Sequence, residues 1–209
     1  MINSRRRWDA IWTRQLRSAW EPLLQPVRKH IMASQVLDAL PREARVFPAC
    51  EIGSGRAAAG FRLADTGRGS VFALDLSHFV LRRIADESGG RIRGIVGNAY
   101  AAPFRTGSIG LAFNISTLEH FIDPIPVLKE MGRIAGYVMV AVPAASRLWE
   151  GLLRIMARAG YQGAGDYYHL YEESLLREHL VAAGLHILQV RKVFFFSLFP
   201  FWVATAVRN

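Results

Sequence analysis

Two carboxylates and a pair of closely spaced glycines carry the chemistry legible in this chain. In the stretch ACEIGSGRAAAG, Ala49 to Gly60, an apolar run reaches Glu51 and passes directly into Gly53, Ser54 and Gly55. Glutamate is a poor end to a buried strand and glycine a poor start to a helix, and two local violations side by side mark a site. Glycines at such a turn let the backbone approach a ligand closely. Asp75 ends the next apolar run, VFALDLS, where a carboxylate can accept both hydroxyls of a ribose. A pyrophosphate seated on a helix N-terminus would be repelled by Glu51, whereas a ligand with a cationic amino-acid tail would be welcomed. Further along, His120 in TLEHF is placed either to take a proton from an acceptor or to orient its turn. His169 in DYYHLY is placed either to line an acceptor pocket or to serve as a structural histidine.

These residues need a frame. Trp8, Ile11, Trp12, Leu16, Ala19 and Trp20 recur at helical spacing, with arginines between them, and a second helix is expected over about Val27 to Leu40. Then the pattern changes. RVFPACEI, SVFALDL, RIRGIVGNA, SIGLAFNIST and YVMVAVP read as strands, separated by the helical segments AAAGFRLADT, HFVLRRIADESG and PIPVLKEMGRI. After a helical or irregular stretch over about Ser146 to Gly165 comes the helix EESLLREHLVAAG, closed by Gly184. HILQVRKVFFF and WVATAVR, joined by SLFPF, predict an antiparallel pair. Strand and helix alternating in this way predict an α/β fold. It is a doubly wound, mostly parallel seven-stranded sheet with an antiparallel C-terminal hairpin. Residues 1–40 form an N-terminal helical appendage or lid, and residues 41–209 the sheet domain. Ligands of such sheets sit at the carboxyl ends of the strands, where Glu51 and Asp75 stand.

With the motif in this place, EIGSGRA resembles the E/D-x-G-x-G-x-G motif of the S-adenosylmethionine-dependent methyltransferases with the Rossmann-like fold. ALDLS resembles that family's acidic end of the second strand. The segment from Gly97 to Ile134, GNAYAAPFRTGSIGLAFNISTLEHFIDPIPVLKEMGRI, resembles the central signature of its small-molecule, type 11-like subgroup. YHLYEESLLREHLVAAGL resembles the subgroup's late helix. The resemblance covers about Arg45 to Leu188. It implies S-adenosylmethionine as cofactor, S-adenosylhomocysteine as product, and no metal. Glu51, Gly53, Ser54 and Gly55 would line the methionine and ribose end. Asp75 would hold the ribose hydroxyls with Leu76 beside the adenine. Asn98 and Ala99 would meet the adenine edge, and Asn114 and Ile115 would lie near the methyl group. His120 is the catalytic candidate. Trp12, Trp149, Tyr168 and His169 are the candidates for the acceptor pocket, whose aromatic character suits a lipophilic or flat small molecule. Asp123, before Pro124, is expected to cap a helix. The departures from the pattern are Ala57 for the third glycine, Asn98 for an aspartate, Gly110 for an aspartate, and a shortened turn at RIAGY.

Bulk composition narrows the alternatives. The chain has 209 residues and a net charge of +9, carried by 26 Lys and Arg against 17 Asp and Glu. More than half of the excess lies in the first 30 residues, which argues against a groove-wide nucleic-acid surface. A basic amphipathic helix with tryptophans on one face fits either a peripheral membrane contact or a lid packed on the sheet domain. The longest apolar run, Val193 to Val207, is shorter than the ~20 residues of a spanning helix and is interrupted by Pro200. A cytoplasmic protein is expected, with the inner membrane surface as a possible station. Cys50 is the single cysteine, and no Cys/His cluster has metal-ligand spacing. Three function classes stay open: a small-molecule methyltransferase, a catalytically inactive methyltransferase-like binding or scaffold protein, and a nicotinamide-dependent oxidoreductase, against which Glu51 argues.

Overall fold

The structure is a computed structural model and describes residues 5–16, 32–158, 169–195 and 199–208. Its centre is a seven-stranded sheet in the order β3-β2-β1-β4-β5-β7-β6. The strands are β1 Ala49–Ile52, β2 Val71–Asp75, β3 Ile92–Val96, β4 Ile109–Ile115, β5 Ala135–Pro143, β6 Leu185–Phe195 and β7 Phe199–Arg208. Neighbours from β3 through β5 are parallel, and β7 runs antiparallel to both β5 and β6. The helices are α1 Arg5–Leu16, α2 Ala33–Asp38, α3 Ala58–Ala64, α4 His78–Ser88, α5 Ile125–Ile134, α6 Arg147–Arg158 and α7 Glu173–Ala182. This is the doubly wound architecture predicted from the alternation of elements.

The two-residue period of the strands divides the core between two faces. Leu111 and Phe113 of β4 and Met139 and Ala141 of β5 join the cluster that contains Val36, Leu40, Phe61 and Ile84. Ala112 of β4 and Val138, Val140 and Val142 of β5 join the opposite cluster, with Leu128, Met131, Leu176 and Leu180 from α5 and α7. The central strands are thus buried on both sides, as parallel strands under helices must be.

Several boundaries differ from expectation for local reasons. β1 starts at Ala49 rather than near Arg45. Before it, the chain crosses the start of β4, where Gly110 and Leu111 both donate to Pro48 O at 2.8 and 3.2 Å. A side chain at Gly110 would meet Phe47 O and Val46 Cγ2 at 3.0 Å, which explains glycine there. The shortened turn at RIAGY is no loop: α5 ends at Ile134 and β5 starts at Ala135. β7 begins at Phe199, so Pro200 and Phe201, expected in the connection, lie in the strand opposite Phe194 and Val193. Pro200 sits at the second position, where its missing N–H does least harm. Its carbonyl accepts from Ala144 N at 3.0 Å. Of the second expected helix only α2 falls among the described residues, and it occupies their C-terminal part. Among the described residues, no helix is long and apolar enough to cross a membrane.

Candidate functional site

The strand order reverses between β1 and β4, and the crevice outside their carboxyl ends is the ligand position of this architecture. Two side chains staple its floor. Asn114 Nδ2 donates to Ile52 O at 2.9 Å while its Oδ1 accepts from Leu118 N at 3.0 Å. Thr117 Oγ1 donates to Gly53 O at 2.8 Å. The glycine turn is hung from β2, because Gly53 N and Ser54 N both donate to Leu74 O. Gly53 and Gly55 have φ of +63° and +49°, and Ala57 repeats the left-handed conformation at φ +50°. That conformation costs a residue with a Cβ about 1–2 kcal/mol. The small methyl of Ala57 is buried in the core despite this cost.

Glu51 is 4 % exposed and points its Oε2 at Gly60 N, 2.9 Å away. Gly60 is needed for that bond, since a Cβ there would stand 3.0 Å from Oε2. Burial pushes the Glu51 carboxyl up to about 8, against the lowering effect of the Gly60 bond and with help from the Asp75 charge. Asp75 is 8 % exposed and receives Gly55 N and Ser77 N, each at 2.9 Å, on its two oxygens. Burial also raises its carboxyl, opposed by those backbone bonds. Ser54 Oγ is buried and has no hydrogen-bond partner. The site therefore holds two desolvated acids and an unsatisfied hydroxyl around a turn of bare backbone. A ligand with a cationic end and a diol fits this donor set, because it would supply the charge and the hydroxyl donors these groups lack.

Leu76 is half-buried beside Asp75, and Ala99 is buried after β3. Asn98 is exposed, and its Oδ1 accepts from Tyr100 N at 3.0 Å, closing a local turn. Ile115 is half-buried at the end of β4. Asn114 was expected near a reacting group. Its amide is spent on the backbone at both ends, so it builds the crevice.

The helix α1 lies across this region. Trp12 packs on the glycine turn, where a Cβ at Gly55 would come within 2.6 Å of its ring. The sequence placed Trp12 in an acceptor pocket; the structure puts it against the turn itself. Asp9 accepts from Ser77 Oγ at 2.5 Å, and the Trp8 ring meets His120 edge-on at 5.7 Å. Ile11 is 5 % exposed. Trp8, Ile11 and Trp12 of the apolar face are thus used within the molecule.

His169 donates its backbone N–H to Glu119 O, and its ring packs edge-on against Tyr171 at 5.0 Å. Trp149 donates Nε1 to Pro200 O and packs on Phe199 and Phe201, so it is wall packing between α6 and β7. Tyr168 lies outside the described residues. Asp123, expected to cap α5, stands one position before the N-cap Pro124; its Oδ1 accepts from Ile125 N two residues on, a local turn beside the helix start. Glu119 is fully buried with neither carboxyl oxygen hydrogen-bonded, and burial pushes it up to about 8. Among the described residues no group of three or more His, Cys, Asp or Glu is placed to hold a metal ion.

Sequence reasoning missed Asp9, Ser77, Gly60 and Thr117. Ser77 had a signal, since a serine between a strand and a helical run reads as an N-cap, and its Oγ accepts from Val80 N. Asp9 had none, because its contact to Ser77 spans 68 residues.

Residues 50–136 match the family model described as a methyltransferase domain. No curated protein sequence matches the chain. A methyltransferase-like chain solved in complex with the Haloferax volcanii Trm112 methyltransferase activator superposes with a TM-score of 0.77. It is 18 % identical over 99 % of this chain and 98 % of that one. An S-adenosylmethionine-dependent methyltransferase from Thermotoga maritima gives a TM-score of 0.71 at 19 % identity, over 97 % of this chain and 100 % of that one. The magnesium protoporphyrin IX methyltransferase of Synechocystis PCC 6803, solved with S-adenosylhomocysteine, gives 0.65 at 14 % identity over 88 % and 83 %. These identities speak to the fold, and the family match speaks to the segment that builds the crevice. Residues 50–136 therefore match a methyltransferase domain, and the chain as a whole has the Rossmann-like fold seen in S-adenosylmethionine-dependent methyltransferases.

Proposed function

We propose that this protein moves a methyl group from S-adenosylmethionine to a small lipophilic or aromatic acceptor. The observation that carries the reading is the joint placement of Glu51, the Gly53–Gly55 turn and Asp75 around one crevice. When bound, the cofactor supplies an electrophilic methyl on a sulfonium, open to in-line displacement. Glu51 holds the ammonium of the amino-acid tail, and Asp75 takes the ribose hydroxyls on the lone pairs its backbone donors leave. Ser54 Oγ gains the partner it lacks in the protein alone. Leu76 and Ala99 wall the adenine, and Asn98 meets its edge with the second lone pair of Oδ1. Ile115 borders the reacting end. Much of the rate enhancement then comes from alignment and exclusion of water. His120, at the turn that leaves β4, takes a proton where the acceptor is a hydroxyl. His169 borders the acceptor side. The N-terminal helix α1 covers the site, and the sheet with its flanking helices carries it.

A neighbour that is a methyltransferase of magnesium protoporphyrin IX supports the flat, lipophilic acceptor class. A neighbour in complex with an activator protein supports a second reading, in which the chain works with a protein partner. Calorimetric titration with S-adenosylhomocysteine tests the cofactor assignment. Micromolar binding by the wild type that Asp75→Ala abolishes is expected. A folded wild type that takes up none would leave a domain retained for its surface.

A further inference from the structure

We propose that Thr117 is a positioning residue for the amino-acid tail of the cofactor: it fixes the tail end of the glycine turn and ties it to the turn that carries His120. The inference rests on the cofactor reading above and deepens it. Three observations converge on this side chain.

The first is how the glycine turn is held. Its two ends have different anchors. At the ribose end, Gly55 N donates to Asp75 Oδ2 at 2.9 Å. At the tail end, two residues after Glu51, Gly53 N and Ser54 N donate to Leu74 O at 2.8 and 3.1 Å. Those bonds hold the N–H groups from β2. The Gly53 carbonyl is held from the strand on the other side of β1, where Thr117, just past the end of β4, donates Oγ1 to it at 2.8 Å. A threonine hydroxyl has one proton to give, and its other carbonyl contact, Ile115 O, is longer at 3.3 Å.

The second is fit. A Cβ on Gly53 would collide with Thr117 Cγ2 and stand 3.2 Å from its Oγ1. Gly53 is also left-handed, at φ +63°. Conformation and space both demand a glycine there, and the space is filled by Thr117. Two residues 64 positions apart thus form one unit.

The third is the backbone that delivers Thr117. Ser116 N donates to Ala141 O at 2.9 Å, prolonging the pairing of β4 with β5, yet Ser116 has φ +50°. That conformation is unfavourable for a residue with a Cβ, and such outliers gather at functional sites. The step turns the chain at the end of β4. Beyond it the Thr117 hydroxyl meets Gly53, while the Thr117 carbonyl accepts from His120 N at 3.1 Å. One residue therefore joins the turn that meets the tail to the turn that carries the acceptor-side histidine.

Full-length wild type, Thr117→Val and Thr117→Ser are titrated with S-adenosylhomocysteine and with 5′-methylthioadenosine, a nucleoside thioether without the amino-acid tail. Thr117→Val keeps the bulk and loses the donor. Thr117→Ser keeps the donor and loses the methyl. The expected result is about tenfold weaker S-adenosylhomocysteine binding by Thr117→Val, the size of one lost hydrogen bond, with Thr117→Ser within about twofold of wild type. Binding of 5′-methylthioadenosine should be the same in all three. If Thr117→Val does not melt cooperatively, Thr117→Ala is titrated in its place with the same expectation. Equal losses for both ligands, or a loss in Thr117→Ser as large as in Thr117→Val, mark a general structural role and overturn the inference. Wild-type affinity retained by Thr117→Val also overturns it and leaves the cofactor reading standing. A cooperatively melting wild type that binds neither ligand overturns the cofactor reading and the role of Thr117 together.

Discussion

Cofactor binding should expel a proton from Glu51. In the protein alone burial holds this carboxyl at about 8, so at pH 7 about 0.9 of the molecules carry it neutral. The ammonium of S-adenosylhomocysteine, placed at an ordinary ion-pair separation of about 4 Å and an effective dielectric near 20, favours the carboxylate by about 4 kcal/mol. At 1.36 kcal/mol per tenfold step that brings the carboxyl down to about 5, and the proton leaves. Titrations at pH 7 in buffers of different ionisation enthalpy should therefore show about 0.9 proton released per site, falling to about half a proton at pH 8. The association constant should rise nearly tenfold from pH 6 to pH 7 and flatten above 8. Asp75 is raised as well, so Glu51→Gln separates the two contributions: the variant should bind more weakly and lose the Glu51 share of the proton count. A wild-type count near zero at pH 7, with affinity flat between pH 6 and 8, would refute the pairing of Glu51 with a cation.

Other consequences follow from single contacts. Glu119 is raised to about 8 without any hydrogen bond. A folded-state value above the unfolded one gives stability that is full below about pH 4.5 and lost as pH climbs toward 8. Glu119→Gln should therefore remove roughly 2 kcal/mol of the decline in unfolding free energy between pH 6 and 8, read by urea titration at both values. Gly60→Ala would gain about 1 kcal/mol in an ordinary helix. Here the new Cβ meets Glu51 Oε2 at 3.0 Å, so a net loss of stability is expected, and a net gain in melting temperature would show that Glu51 moves freely. Asn114→Leu should cost about 3 kcal/mol by leaving Ile52 O and Leu118 N without their partners; a near-neutral result in chemical denaturation would show the crevice floor is held by other means.

The parts of the site legible in the sequence were those encoded by neighbours along the chain. Glu51, Gly53, Gly55 and Asp75 stand where strand periods end, so composition and period together located them. The sheet order followed from the alternation of elements and from the C-terminal pair. The parts not legible depend on distant contacts. Gly110 looked like a lost aspartate, yet its reason is the backbone of Phe47 crossing at 3.0 Å. Asn114 looked like a ligand contact because it ends β4. Only the coordinates show both ends of its amide spent on Ile52 and Leu118. Pro200 looked like a turn residue by type, and its place in β7 follows from pairing with β6, which no local rule contains. Trp12 stood out by its helical stripe, but the stripe could not say which surface it would cover; the structure sets it against the glycine turn.

The most direct test of the central assignment is a crystal structure of the full chain soaked or grown with S-adenosylhomocysteine. The expected density lies in the crevice between β1 and β4, with the ribose hydroxyls on Asp75, the amino end at Glu51 and the adenine between Leu76 and Ala99. Density for the nucleoside elsewhere on the molecule, or an empty crevice at millimolar ligand, would contradict it.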